Sequence, residues 1–176
     1  DWSAFVVGGH EIREGTLNEA LERLHTDSRV IDSAVVEACR DELAAIDTRI
    51  RLGSLANCGK TIGGLAGKSL DRFASESPSA AIERVKGDLR DFQQQTKTDR
   101  VVVVNVASTE PAGDYSQLPE RWEQLAKLLQ DKTTSPLPAS SLYAIAALDL
   151  GLAYVNFTPS LGASPAAIGE LAQLRG

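Results

Sequence analysis

Methionine is missing from all 176 residues, and cysteine and histidine occur only twice each. Two scattered cysteines, Cys39 and Cys58, form no disulfide framework and read as reduced thiols. With two isolated histidines besides, no zinc-ligand spacing is present and no metal is expected. Aromatic residues make up only 5% of the chain, and no apolar run approaches the roughly 20 residues that span a bilayer. The first residues lack the basic and apolar regions of a signal peptide, so a cytoplasmic location without a membrane partner is expected. Excess basic charge is lacking too. The net charge is −6 and the pI is near 5.0, which gives no long-range attraction for nucleic acid; a phosphate site would have to be local. The chain opens at Asp1, not Met, shortly before an apolar run, which predicts a piece of a longer protein.

Several catalytic signatures are absent. Gly53 and Gly59-Lys60-Thr61 are separated by five residues, and Gly63 and Gly67-Lys68-Ser69 by three, where a P-loop needs four. No Gly-x-Ser-x-Gly nucleophile elbow occurs. Nor is there a Gly-x-Gly-x-x-Gly turn, so the pyrophosphate turn of any dinucleotide site would lie outside this chain.

What is present alternates between short apolar runs and helical patterns. Ala4 to Val7, stopped by Gly8-Gly9, predicts a strand. Thr16 and Glu19 form a capping box ahead of Leu17, Ala20, Leu21 and Leu24 at helical spacing. Asp32 or Ser33 caps a second helix running to Ile46, and Arg49 to Gly53 reads as a short strand. The stretch from Asn57 to Ser77, rich in Gly, Ser and Lys, reads as irregular or loosely helical. Ser77-Pro78 opens a long helix with Ile82, Val85, Leu89 and Phe92 on one stripe. Val101 to Val106 is unbroken in its apolarity up to Asn105, the pattern of a central parallel strand covered on both faces. Helices are expected over Leu118 to Gln130 and Ser141 to Leu150, the latter closed by Gly151. A strand from Leu152 to Phe157 and a helix beginning at Ser164-Pro165 complete the chain. This alternation predicts an α/β protein with a parallel sheet and helices on both faces.

Ligands of such sheets sit outside the carboxyl ends of the strands. Three loops therefore stand out. In Gly8-Gly9-His10-Glu11, the Glu11 carboxylate could accept the ribose hydroxyls of an adenosine, or be a solvated turn residue. In Ala107-Ser108-Thr109, small and hydroxyl residues let a ligand approach the backbone, or simply cap a turn. Thr158 and Ser160 lie in a polar loop leading to a helix N-terminus that could hold an anion, although Ser164 is expected to cap that helix. Lys60, Lys68, Lys86, Lys97, Lys127 and Lys132 read as solvated surface.

Three motifs, in order, resemble the myo-inositol-phosphate synthase (inositol-3-phosphate synthase) family: Phe5-Val6-Val7-Gly8-Gly9-His10-Glu11-Ile12, then Val101 to Glu110, then Tyr154 to Ser160. The stretch from Pro138 to Leu174 extends the match, while Asp47 to Lys97 is only loosely similar. The resemblance implies a Rossmann-like fold holding NAD, with residues 1–176 as the central part of the dinucleotide-binding domain. The first βα unit, with its Gly-rich turn, and the lysine-bearing catalytic domain would lie outside the chain. It also implies an isomerase that converts D-glucose 6-phosphate to 1L-myo-inositol 1-phosphate by oxidation, intramolecular aldol closure and reduction. A sugar-phosphate substrate and a homotetramer come with that resemblance. By position it assigns Glu11 to the adenosine ribose, Ala107, Ser108 and Thr109 to the cofactor-contacting loop, and Thr158 and Ser160 to the loop near nicotinamide and substrate. Glu11 stands where many relatives have Asp, and Ser108 where they have Asn. No catalytic residue is assigned, and the isolated chain is expected to be inactive. Two other readings remain: a non-catalytic α/β module binding a ligand or a protein, or an NAD-dependent relative acting on another sugar phosphate.

Overall fold

A computed structural model describes residues 5–176. The chain runs β1 (Gly9–Glu11), α1 (Leu17–Ser28), α2 (Ser33–Asp47), β2 (Ile50–Leu52), α3 (Gly59–Gly63) and a 3-10 helix (Lys68–Phe73). It continues with α4 (Pro78–Thr96), β3 (Val102–Asn105), α5 (Trp122–Asp131), α6 (Ala139–Asp149), β4 (Ala153–Asn156) and α7 (Ala166–Arg175). The strands form two parallel pairs. In one, β1 lies on β2 with Gly9 opposite Ile50 and Glu11 opposite Leu52. In the other, β3 lies on β4 with Val102 opposite Ala153 and Asn105 opposite Asn156. Parallel pairing through helical crossovers is the α/β arrangement that the alternating pattern predicts.

The helices begin where the chain offers caps. The Thr16 hydroxyl accepts from the Glu19 amide while the Glu19 carboxylate accepts from the Thr16 amide, so α1 starts in a full capping box. Asp32 caps α2 by accepting from Ala34, and Ser77 caps α4 by accepting from Ala80, with Pro78 at the first helical position. The expected helix from Leu118 starts later, at Trp122. Pro119 disfavours helical torsions at Leu118, and the Trp122 amide donates to the Glu170 carboxylate on α7 at 2.5 Å, which caps α5 from outside its own sequence. Ser164 does not cap α7; the helix starts after Pro165 with no side-chain cap.

The core lies among α4, α5, α6 and α7. Val85, Leu89, Leu125, Leu129, Leu142, Ile145, Ile168 and Leu171 are buried there, and Val101, Val103, Leu152 and Tyr154 pack onto it from the β3–β4 pair. The opposite face of that pair is open. Val102 is 56% exposed, Val104 45% and Val155 39%, so the unbroken valine run is covered on one face here, not on both. The first strand also departs from expectation. Among the described residues it spans Gly9–Glu11 and leaves out Phe5 to Val7, because the partner strand begins at Ile50 and the ladder starts with Gly9. Ala4 itself lies outside the described residues.

Helix α4 joins the two halves. Gly8 packs against Phe92, where a Cβ would stand 2.7 Å from the ring. His10 pairs with Asp88 at 3.1 Å and lies over Tyr143. Arg84 donates to the carbonyls of Leu52 and Gly53 and holds both oxygens of Glu76. On its other side Lys86, only 8% exposed, bridges Glu83 and Asp149. That corrects its reading as solvated surface: a lysine so enclosed persists only with paired carboxylates around it.

Candidate functional site at the strand ends

The carboxyl ends of the four strands carry the polar groups. At the end of β1, Oε1 of Glu11 accepts from the backbone amides of Ile12 (2.8 Å) and Arg13 (3.1 Å). The Arg13 guanidinium donates to both carboxylate oxygens, Nη2 to Oε2 at 2.9 Å and Nε to Oε1 at 3.3 Å. Partial burial would push the Glu11 carboxyl up, but the hydrogen bonds from Arg13 and the backbone hold it below its ordinary range. The carboxylate is therefore ionised and fixed at the strand end, half-exposed.

At the ends of β3 and β4 a network of amides and hydroxyls ties the loops together. Asn105 Nδ2 donates to Asn156 Oδ1 at 3.0 Å and to Thr158 Oγ1 at 3.3 Å. Thr158 Oγ1 donates to Asn156 Oδ1 at 2.8 Å, and the Ser160 amide donates to Thr158 Oγ1. Asn156 Nδ2 reaches the Ser160 carbonyl at 2.8 Å. In the loop after β3, the Ala107 amide donates to Asn105 Oδ1, whereas Ser108 and Thr109 are exposed.

Glu110 locks this edge to α6. Its amide donates to Ser160 Oγ at 3.0 Å, and its carboxylate accepts from the Ser140 amide (2.8 Å) and hydroxyl (2.5 Å). A carboxylate on the first turn of α6 satisfies amides with no intrahelical partner and suits the positive end of the helix dipole.

The segment after β2 runs from the β1 end to the loop after β3. The Gly53 amide donates to the Glu11 carbonyl at 2.9 Å, so this segment leaves from beside Glu11. Six residues on, Gly59 (φ +79°) packs against Pro111 so closely that a Cβ would stand 2.7 Å from its ring. Glu11 closes β1, and Ala107, Ser108, Thr109, Thr158 and Ser160 follow the carboxyl ends of β3 and β4. Thr158 is hydrogen-bonded to Asn105 at the β3 end and Ser160 to Glu110 in the loop after it, and residues 53–59 run from beside Glu11 to Pro111 in that same loop. A cavity of about 360 Å³ lies elsewhere, lined by Arg121, Trp122, Glu123, Gln124, Glu170 and Leu174.

Sequence reasoning missed Asn105, Asn156 and the Glu110–Ser140 contact. The first two had a legible signal, since each strand run ends in Asn and parallel pairing of the two runs places those residues side by side. The Glu110 contact depends on a separation of 30 residues and had none.

A family model for an NAD-binding domain, described as myo-inositol-1-phosphate synthase, matches residues 1–176. The chain belongs to the myo-inositol-1-phosphate synthase family. Inositol-3-phosphate synthase 1 of Oryza sativa subsp. japonica is 28% identical over 155 residues, which is 88% of this chain and 29% of that protein. Inositol-3-phosphate synthase of Spirodela polyrhiza is 25% identical over the same proportions. The chain thus spans under a third of the length of these curated relatives. The crystal structure of inositol-3-phosphate synthase from Caenorhabditis elegans superposes with a TM-score of 0.73 at 21% identity, over 97% of this chain and 32% of that one, which establishes the shared fold. NAD is the cofactor of this synthase domain. The residues present fit part of such a site. Glu11 supplies an ionised acceptor at the end of one parallel pair, and the β3 and β4 loops supply small, hydroxyl-bearing edges at the end of the other.

Proposed function

We propose that the chain is the NAD-binding part of an inositol-3-phosphate synthase that turns D-glucose 6-phosphate into 1L-myo-inositol 1-phosphate. The observation that carries this reading is the hydrogen-bonded junction of Asn105, Asn156, Thr158, Ser160 and Glu110, which fixes two strand-end loops as one polar edge. When bound, NAD would supply the oxidising and reducing capacity of the reaction. The chain's own residues bind and orient. Glu11 accepts from the adenosine ribose, and the loop of Ala107, Ser108 and Thr109 lets the cofactor approach the backbone. Thr158 and Ser160 stand on the nicotinamide and substrate side. Their hydroxyls already belong to the network, so their positions are set before ligand arrives. A sugar-phosphate substrate and a homotetrameric assembly belong to the same reading.

No lysine described above is placed for proton transfer to a sugar. Lys86, the most enclosed of the six, is committed to Glu83 and Asp149. The 176-residue chain alone is therefore expected to show no turnover, and its part in the reaction is cofactor binding. The test is NAD titration of the chain and of Glu11→Ala by calorimetry. Loss of the ribose acceptor is expected to weaken NAD by about tenfold or more, the worth of a charge-assisted hydrogen bond. Equal affinities would remove Glu11 from the site. Product analysis with glucose 6-phosphate, on a polypeptide carrying this chain together with the remaining synthase length, tests the reaction: inositol phosphate is expected, and a different product points to another sugar-phosphate enzyme.

A further inference from the structure

Three loops that leave strand ends are anchored on two consecutive residues of α6. The Ala139 amide donates to the Ala56 carbonyl, in the segment after β2, at 2.8 Å. The Ser140 amide donates to the Glu110 carboxylate, in the loop after β3, at 2.8 Å, and the Ser140 hydroxyl donates to its other oxygen. The same hydroxyl accepts from the Gly162 amide, in the loop after β4, at 3.1 Å. Ser140 is only 3% exposed and its carbonyl accepts from the Tyr154 hydroxyl, so the anchor is fixed by its own packing.

The three anchors are not equivalent. Ala56 is held through its backbone, whereas Glu110 acts through its side chain on two loops at once. Its carboxylate ties down the loop that carries Ala107, Ser108 and Thr109. It also accepts from the Ser140 hydroxyl, which leaves that oxygen free to accept from Gly162 in the loop that carries Thr158 and Ser160. The Glu110 amide donates to Ser160 Oγ besides, so the two loops meet at Glu110 as well as at Ser140. The partners of the Glu11 carboxylate, at the end of the other strand pair, are Ile12 and Arg13, neither of which belongs to this network. We infer that Glu110 is a positioning residue for the nicotinamide half of the cofactor: through Ser140 it holds the 107–109 and 158–160 loops at one spacing and leaves the adenosine half untouched. Loops ordered before binding spare the complex the cost of ordering them. This rests on the proposed placement of the nicotinamide side at Thr158 and Ser160.

The experiment is calorimetric titration of the 176-residue chain, Glu110→Ala, Glu110→Gln, Ser140→Ala and Glu11→Ala with NAD and with AMP, which carries the adenosine half alone. The parent chain is expected to bind NAD more tightly than AMP. Glu110→Ala is expected to lose about tenfold or more in NAD affinity and less than about twofold in AMP affinity. In Glu110→Gln the side-chain oxygen still accepts from the Ser140 amide and the nitrogen can donate to the hydroxyl, so NAD affinity is expected to stay within about threefold of the parent. Ser140→Ala keeps the amide bond to Glu110 and loses only the hydroxyl; it carries the test should Glu110→Ala fail to fold, with a smaller loss confined to NAD. Glu11→Ala is expected to weaken both nucleotides. Equal losses for NAD and AMP in the Glu110 and Ser140 variants, or no loss for either, overturn the positioning role, while an effect of Glu11→Ala leaves the ribose placement standing. A loss in Glu110→Gln as large as in Glu110→Ala overturns it as well, since it traces the effect to charge and not to the held loops. A parent chain that binds neither nucleotide, or both equally, overturns the nicotinamide placement and the inference with it.

Discussion

The side-chain amide of Asn105 donates to the side-chain oxygen of Asn156 at 3.0 Å, across the matched ends of β3 and β4. That oxygen also accepts from the Thr158 amide and hydroxyl, while the Asn156 amide holds the Ser160 carbonyl. One side chain therefore fixes both the pairing of the strand ends and the path of the following loop. Asn156→Ala is expected to cost about 1–3 kcal/mol, because partly buried donors and acceptors lose their partner together. Thr158→Val removes only the hydroxyl and is expected to cost about 1 kcal/mol. Urea denaturation of the chain and both variants measures this as shifts in midpoint at constant slope.

Much of the architecture is readable where the signal is local. The Thr16/Glu19 capping box, Asp32, and Ser77 followed by Pro78 each announce a helix start through chemistry confined to four residues, and each helix begins there. Boundaries set by distant groups are not readable. Helix α5 starts at Trp122 because Glu170, 48 residues away, receives its amide. Strand β1 is placed at Gly9–Glu11 because Ile50–Leu52 is where its partner lies, and a strand without a neighbour has no defined span. The three candidate loops could be picked out because parallel α/β sheets present ligands at strand ends whatever the family. The pairing of Glu11 with Arg13, two residues away, was equally local and was not foreseen, because the sequence does not reveal which way a long exposed side chain folds back.

The valine run of β3 gives a direct contrast between its two faces. Val103 packs onto the core, whereas Val104, next to it, is 45% exposed. Valine to threonine preserves shape and β-branching and adds a hydroxyl. Val103→Thr is expected to cost about 1–2 kcal/mol for an apolar contact turned polar, and Val104→Thr to stay within about 0.5 kcal/mol. Thermal denaturation of the 176-residue variants reads the difference. Equal costs would mean that both faces of β3 are covered in solution.

Asp149 ties α6 to α4 and to the chain end, accepting from Lys86 at 2.6 Å and from Arg175 at 2.8 Å. Burial alone would push its carboxyl up, but those hydrogen bonds hold it below its ordinary value of 3.8. Burial would likewise lower Lys86, yet Asp149 and Glu83 hold it above its ordinary 10.5. The depressed acid contributes stability that is fully present above its unfolded value and is lost as pH falls through its lower folded value. The raised base contributes stability present below 10.5 and lost as pH rises past its folded value. Stability measured by urea midpoint is therefore expected to fall below about pH 4, with a shallower acid decline in Asp149→Asn. At neutral pH, Asp149→Ala is expected to cost about 3 kcal/mol, since it leaves an enclosed lysine short of a partner. Lys86→Met, whose side chain fills the same channel, is expected to cost less.

Gly162 sits where the loop after β4 turns towards α6, at φ +52°, with its amide donating to Ser140 Oγ and its carbonyl accepting from Ser141 Oγ. A Cβ there would stand 2.7 Å from Asn156 Nδ2 and 3.3 Å from the Tyr154 hydroxyl. Gly162→Ala thus meets two separate costs, a left-handed backbone unfavourable to alanine and a collision with the amide that holds the Ser160 carbonyl. The expected loss is about 1–3 kcal/mol. The two causes separate in a double-mutant cycle with Asn156→Ala, which removes the colliding atom and leaves the torsion unchanged. A collision makes the combined loss smaller than the sum of the single losses; a purely torsional penalty makes the two additive. Equal stabilities of Gly162→Ala and the parent chain would show that the loop relaxes freely, and that the Thr158–Ser160 edge is not held in place by the α6 contact.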